Sequence, residues 1–187
     1  GYIRVKNFGE QTYAEMLVAL AELNIEGMEG LVVDLRGNTG GYMHIAIQMA
    51  NEFLPKDRLI VYTEGRKSPR EEFNSDGRGT FQTLPLVVLV DEASASSSEI
   101  FAGAIQDNDR GTIVGRRTFG KGLVQQPVEF RDGSVVRLTI ARYYTPSGRC
   151  IQKPYTKGHD EEYENELMAR YERGEFFSQD SIHQDGP

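Results

Sequence analysis

Two short apolar runs, Leu31-Val32-Val33-Asp34-Leu35 and Leu86-Val87-Val88-Leu89-Val90, constrain the fold of this chain more than any other feature. Each is apolar at consecutive positions, so neither face of such a strand can be left in water and it must lie between two layers. The first run leads into the glycine-rich stretch Gly37-Asn38-Thr39-Gly40-Gly41 and then a helical pattern near 42–53. The second leads into a serine cluster and a helix over 97–106, with Ile100, Phe101, Ala104 and Ile105 on its apolar side. A repeated order of strand, turn and helix predicts an α/β core.

The remaining segments extend that core. Residues 2–5 read as a short strand, and Thr12 with Glu15 makes a capping-box pattern before a helix over 12–24 whose apolar positions are Ala14, Leu17, Val18 and Ala21. Residues 59–63 repeat the buried-strand signature. Residues 112–114, 123–130 and 134–144 read as strands, with Asp132-Gly133 as the turn of an antiparallel hairpin between the last two. The stretch 64–83, rich in Gly, Ser, Arg and Glu, reads as a surface excursion. Residues 157–187 carry 3 basic and 9 acidic side chains, which separates an acidic C-terminal helix near 161–173 and a mobile tail from a domain over 1–156.

Composition removes several classes of function. With 21 basic against 28 acidic residues the formal charge is −7, the wrong sign for a nucleic-acid binder. The run from Leu84 to Val90 falls far short of the roughly 18 residues of a membrane span, so no transmembrane segment is predicted. The single Cys150 excludes an internal disulfide framework and a multi-cysteine zinc site, and it carries no sign of an activated thiolate. The start at Gly1, without a signal-like segment, reads as the start of a fragment of a longer chain.

Three stretches carry candidate chemistry: 34–41, 94–99 and 118–125. Gly115 to Lys121 has the glycine and lysine of a phosphate-binding loop, but Gly122 replaces the hydroxyl residue that would bind magnesium, and the following residues read as extended. His44, His159 and His183 are too scattered for metal ligation, and only His44, at a helix start, lies outside the acidic region, so no cofactor and no metal is predicted. A serine nucleophile can instead use a lysine base, provided the amine is neutral. Lys121, set between two glycines with no acid adjacent in sequence, meets the sequence side of that demand. The serines at 94–98 lie before a helix, where the dipole and free N–H groups stabilise developing negative charge. The same cluster also reads as a helix cap, because Ser96 with Glu99 is an S-x-x-E pattern.

Together these stretches resemble the C-terminal processing peptidases, tail-specific serine proteases with a Ser-Lys dyad on a ClpP/crotonase-like fold. The resemblance spans most of 1–152. It rests on Ser94-Ala95-Ser96-Ser97-Ser98-Glu99-Ile100, Thr118-Phe119-Gly120-Lys121-Gly122-Leu123-Val124-Gln125, and Asp34 to Gly41 with Thr39 where the family has proline, a substitution that implies a less rigid turn. The opening Gly-Tyr-Ile-Arg and the run Arg142 to Gly148 agree with it. The resemblance implies Ser96 as nucleophile, Lys121 as general base and Gln125 as the amide that orients the lysine. The oxyanion donors would be the backbone N–H of Gly40 or Gly41 and that of Ser97. Asp107 matches an acidic family position of structural or other role. The implied substrates are unfolded or flexible polypeptides cut near their C-termini through an acyl-enzyme, in an activity that rises with pH. The implied partner is a PDZ domain preceding Gly1 in the parent chain, and the implied location is the cell envelope, in the periplasm. Two alternatives are a non-catalytic polypeptide-binding or scaffold domain on the same fold, and a crotonase-like acyl-CoA enzyme, which leaves the paired serine and lysine motifs unexplained.

Overall fold

In the computed structural model, which describes residues 1–155 and 160–178, the two apolar runs are the centre of a parallel sheet. Strands β1 (Tyr2–Arg4), β2 (Leu31–Asp34), β5 (Leu86–Val90) and β6 (Thr112–Gly115) stand in the order β1-β2-β5-β6. β2 and β5 pair from Leu31↔Leu86 to Asp34↔Leu89. Helices α1 (Thr12–Ile25), α2 (Met43–Asn51) and α3 (Ser97–Asp107) connect these strands, and the predicted α/β core is the one the chain adopts. α2 buries Ile45, Ala46, Met49 and Ala50, the spacing of one helical face, whereas α3 is buried on every side from Ser97 to Ile105. Phe53 meets Phe101 edge to face at 6.1 Å between centroids, and each such fully buried ring contributes about 1.5–3 kcal/mol. Enclosing α3 completely brings its polar N-terminal residues into the core.

The antiparallel part is larger than the predicted hairpin. β3 (Leu59–Gly65), β4 (Ser68–Asn74), β7 (Leu123–Glu129) and β8 (Val135–Tyr144) form a second four-stranded sheet in the order β4-β3-β8-β7. β4 lies inside the stretch expected to be a loop. It escapes an apolar-run search because an edge strand needs only one neighbour and keeps its charges in water. Arg70 pairs with Glu72 at 2.6 Å, and its guanidinium lies 3.7 Å from the ring centre of Tyr62 on β3.

α1 has the predicted extent but the opposite face. Ala14, Leu17, Val18 and Ala21 are exposed, while Met16 and Leu20 are buried, with Tyr13 and Leu23 packed partly against the core. The second set also has helical spacing and offers more apolar surface than one containing two alanines. The capping box at Thr12 does not form either. Gln11 is the N-cap, and the Thr12 hydroxyl instead donates to the Asn7 carbonyl and accepts from the Gly9 N–H, both at 3.1 Å.

The chain divides into two compact units, Gly1–Lys153 and Pro154–Pro187. The second contains α4 (Asp160–Glu172), close to the predicted acidic helix, and a buried Arg170–Glu175 ion pair at 3.0 Å. The tail expected after it lies beyond residue 178, outside the described residues, as do His159 and His183.

Candidate active site

The three motif stretches follow β2, β5 and β6, which are neighbours in one parallel sheet, so all three leave the sheet at its carboxyl edge. Ligands of open α/β sheets gather at that edge. The stretches are bonded to one another by side chains that the sequence reading treated as capping or turn residues.

The serine cluster divides sharply. Ser94, Ser97 and Ser98 are buried, and their hydroxyls donate to the carbonyls of Leu35, Gly41 and Asn38, each at 2.9 Å. They tie α3 to the glycine-rich turn and fix that turn even with Thr39 in place of proline. Ser96 alone is half-buried. Its backbone sits at φ 57° and ψ −113°, a region that L residues disfavour. This places it at the N-cap of α3, where the helix dipole favours negative charge.

Asn38 is the hub of the turn. Buried completely, it donates to the Val5 carbonyl at 2.8 Å and accepts the Gly40 N–H at 2.9 Å, while its own carbonyl takes the Ala95 N–H at 3.0 Å. Gly40 is at φ 103°, and a Cβ there would stand 2.8 Å from both Ser96 Cβ and the Ala95 carbonyl. A Cβ on Gly41 would stand 2.3 Å from the Phe8 carbonyl oxygen. The turn can approach Ser96 only because it is glycine. With the Gly40 N–H engaged by Asn38, the N–H groups of Gly41, beside Gly40 in the turn, and of Ser97, next to Ser96, have no hydrogen-bond partner among the described residues.

Glu99 joins the second stretch to the third. Its buried carboxylate accepts the Ser96 N–H at 2.9 Å, the Thr118 hydroxyl and Gly120 N–H at 2.7 Å, and the Lys121 N–H at 2.8 Å. Ser96 and Lys121 share one oxygen, Oε2, so their backbone nitrogens are no further apart than the span of two hydrogen bonds. Burial raises the Glu99 pKa, against the opposing effect of these donors. The S-x-x-E spacing had suggested only a local cap.

The loop carrying Lys121 is braced from the other side. Gly122 donates to the buried Gln152 amide oxygen at 3.0 Å, Lys153 donates to the Gly120 carbonyl at 2.9 Å, and Phe119 donates to the Ser94 carbonyl at 3.0 Å. The Lys121 side chain itself is exposed, and among the described residues no hydrogen bond joins its amine to Ser96 or Gln125. Gln125 is also exposed, opposite Thr139 and just past the register shift at which β8 carries an extra residue, Ile140. The structure therefore brings the Ser96, Gly41, Ser97 and Lys121 backbones together, with the Lys121 amine and Gln125 outside the contact.

Asp107, at the end of α3, holds a different segment. Its carboxylate accepts the Ser147 N–H at 3.0 Å and hydroxyl at 2.7 Å and pairs with Arg149, clamping the turn that leads to Gln152 and Lys153. His44 is exposed, its ring tilted against that of Tyr42 with the centroids 5.5 Å apart. Asp34, at the end of β2, takes a two-pronged bond from Arg36 and the Tyr2 hydroxyl at 2.6 Å, which hold its carboxyl far below the usual range despite its burial.

Known proteins align with this site region and the sheet that carries it. A carboxyl-terminal-processing protease of a Synechocystis species is 44% identical over 153 residues, covering 82% of this chain and 35% of the relative. The carboxy-terminal processing protease CtpA of Bacillus subtilis is 39% identical over 153 residues, covering 82% of this chain and 33% of the relative. The solved photosystem II D1 C-terminal processing protease superposes with a TM-score of 0.76 at 41% identity, covering 81% of this chain and 39% of that one. The chain thus spans about a third of the length of the relatives it matches. The family profile of peptidase family S41 matches residues 1–161, and the chain belongs to that family.

Proposed function

We propose that this chain is the catalytic portion of a serine endopeptidase that cleaves unfolded or flexible polypeptides near their C-termini. The observation that carries the reading is Ser96: the one serine of its cluster that reaches the surface, held at a strained backbone angle on a helix N-terminus, with Glu99 fastening it to the lysine loop. Strain of this kind persists only where surrounding contacts over-determine it.

The Lys121 amine, in its neutral form, takes the proton of Ser96 Oγ as that oxygen attacks the scissile carbonyl. The oxyanion that forms faces the N–H groups of Gly41 and Ser97, which carry no other bond among the described residues, so Gly41 rather than Gly40 is the donor from the turn. Collapse of the tetrahedral species returns the proton from Lys121 to the departing amine, leaving an ester on Ser96. Water, deprotonated by the same amine, then attacks the ester, and the amine returns that proton to Ser96 Oγ as the C–O bond breaks and the acid departs. For this cycle the Lys121 side chain turns from solvent toward Ser96, and Gln125 steadies it there. A substrate lying across the loop and excluding water favours that rotamer.

The names of the relatives support the C-terminal preference. By resemblance the parent chain supplies a PDZ domain that captures the substrate end, and the location is the cell envelope, in the periplasm; no described helix is long and apolar enough to cross a membrane. The test is digestion of an unfolded protein by this chain and by its Ser96→Ala and Lys121→Ala variants, with product masses giving the cut sites. Both substitutions are expected to lower kcat/KM by at least about 10³-fold with the fold intact. Retained cleavage in either variant overturns the dyad, and cleavage by none of the three, with or without a PDZ domain restored, favours a binding domain.

A further inference from the structure

Ser97 carries a hydroxyl that the mechanism above does not use. On a residue only 1% exposed, it donates to the Gly41 carbonyl at 2.9 Å. Gly41 lies in a parallel bridge with the buried Phe8, whose N–H donates to the Gly40 carbonyl at 3.0 Å and whose carbonyl accepts the Tyr42 N–H at 2.8 Å. Both bonds go to the neighbours of Gly41, so Gly41 turns its own N–H and carbonyl to the side away from Phe8. The Ser97 hydroxyl takes that carbonyl, and the N–H of the same residue stays open among the described residues. The two groups that face the oxyanion, the N–H of Gly41 and that of Ser97, therefore belong to residues joined by one side chain.

Among the described residues, this is the only hydrogen bond from the 94–98 stretch that reaches past Asn38. The others run from Ser94 to Leu35 and from Ala95 and Ser98 to Asn38. Gly40 and Gly41 follow, and two successive glycines have little conformational preference of their own. Thr39 before them is exposed, and its N–H has no hydrogen-bond partner among the described residues. Proline, which the resemblance places at 39, would restrict both itself and Asn38. We propose that the Ser97 hydroxyl is a positioning group of the oxyanion site: it holds the Gly41 N–H in line with the Ser97 N–H, supplying by a hydrogen bond the rigidity that proline would supply by its ring. The role in catalysis rests on the peptidase reading.

Ser97→Ala deletes the hydroxyl and keeps the N–H. Its effect is read on cleavage of fluorescein-labelled β-casein, an unfolded chain, by this chain and by the variant. A displaced donor weakens binding of the transition state and not of the substrate, so kcat is expected to fall roughly 10- to 100-fold while KM changes less than about threefold. Adding Thr39→Pro to Ser97→Ala is expected to raise kcat at least about fivefold, and to do less with Ser97 present. Unchanged kcat in Ser97→Ala, a rise in KM that accounts for the whole loss, or an effect of Thr39→Pro that is the same with and without Ser97 overturns the proposal. Amide hydrogen exchange, followed by NMR, needs no turnover and decides alone if melting curves show that the double variant does not fold. Ser97→Ala is expected to speed exchange of the Tyr42 N–H at least about tenfold and to leave that of Leu35, bonded to Leu89, within about twofold. A Tyr42 amide that exchanges no faster, or that gains no more than Leu35, overturns the proposal. Faster exchange at Tyr42 alone, in a chain with no Ser96-dependent cleavage, upholds the hold on Gly41 and rejects the peptidase reading instead.

Discussion

A serine held at φ 57° and ψ −113° crowds its own Cβ against the backbone, and glycine alone escapes that cost. Ser96→Gly is accordingly expected to keep or raise stability, by up to about 1 kcal/mol, although glycine normally destabilises an ordered position. Chemical denaturation checks this, and a loss of more than about 1 kcal/mol contradicts the strain argument. As candidates, Ser96, Lys121 and the two glycines were legible at this scale because they fall in recognisable motifs. Glu99 was read only as a cap, since local spacing cannot reveal that the same carboxylate also binds Thr118, Gly120 and Lys121. The role of Asn38 was invisible for a similar reason: its partners Val5 and Ala95 are distant in sequence.

At the level of elements, legibility followed burial. β5 has the bounds that its apolar run predicts, because a strand covered on both sides must be apolar throughout. β4 had no such signature, and the exposed face of α1 was taken for its buried one because apolar residues recur at helical spacing on both. The clamp at the end of α3 makes a prediction of its own. Burial alone pushes the Asp107 pKa up, but hydrogen bonds from the Thr145–Arg149 turn outweigh it and the net shift is downward. A carboxylate with a lowered folded pKa contributes stability above its unfolded value of about 3.9, and that contribution fades as pH falls through the folded value. Asp107→Asn is therefore expected to lose about 1–3 kcal/mol at pH 7 relative to the parent. The gap should narrow below pH ~4. Urea unfolding at the two pH values measures it, and a gap that widens in acid refutes the clamp. Because the clamped turn leads to Gln152 and Lys153, the same substitution also loosens the brace on the Lys121 loop.

For the whole molecule, the decisive fact is which strands are neighbours. β2, β5 and β6 stand side by side, so three motifs, the first and last with 76 residues of chain between them, converge at one edge of one sheet. Sequence could order the motifs and assign them to strand ends, but pairing depends on contacts between distant segments. Convergence gives the candidate site its backbone; the Lys121 amine is exposed, and in the proposed cycle it has still to close on Ser96. The most direct measurement uses a serine-reactive fluorophosphonate on the folded chain, with peptide mass spectrometry of the adduct. The account predicts a single modification, on Ser96, whose rate drops at least tenfold in Lys121→Ala. Modification of a different serine, or of Ser96 at the same rate without the lysine, contradicts it.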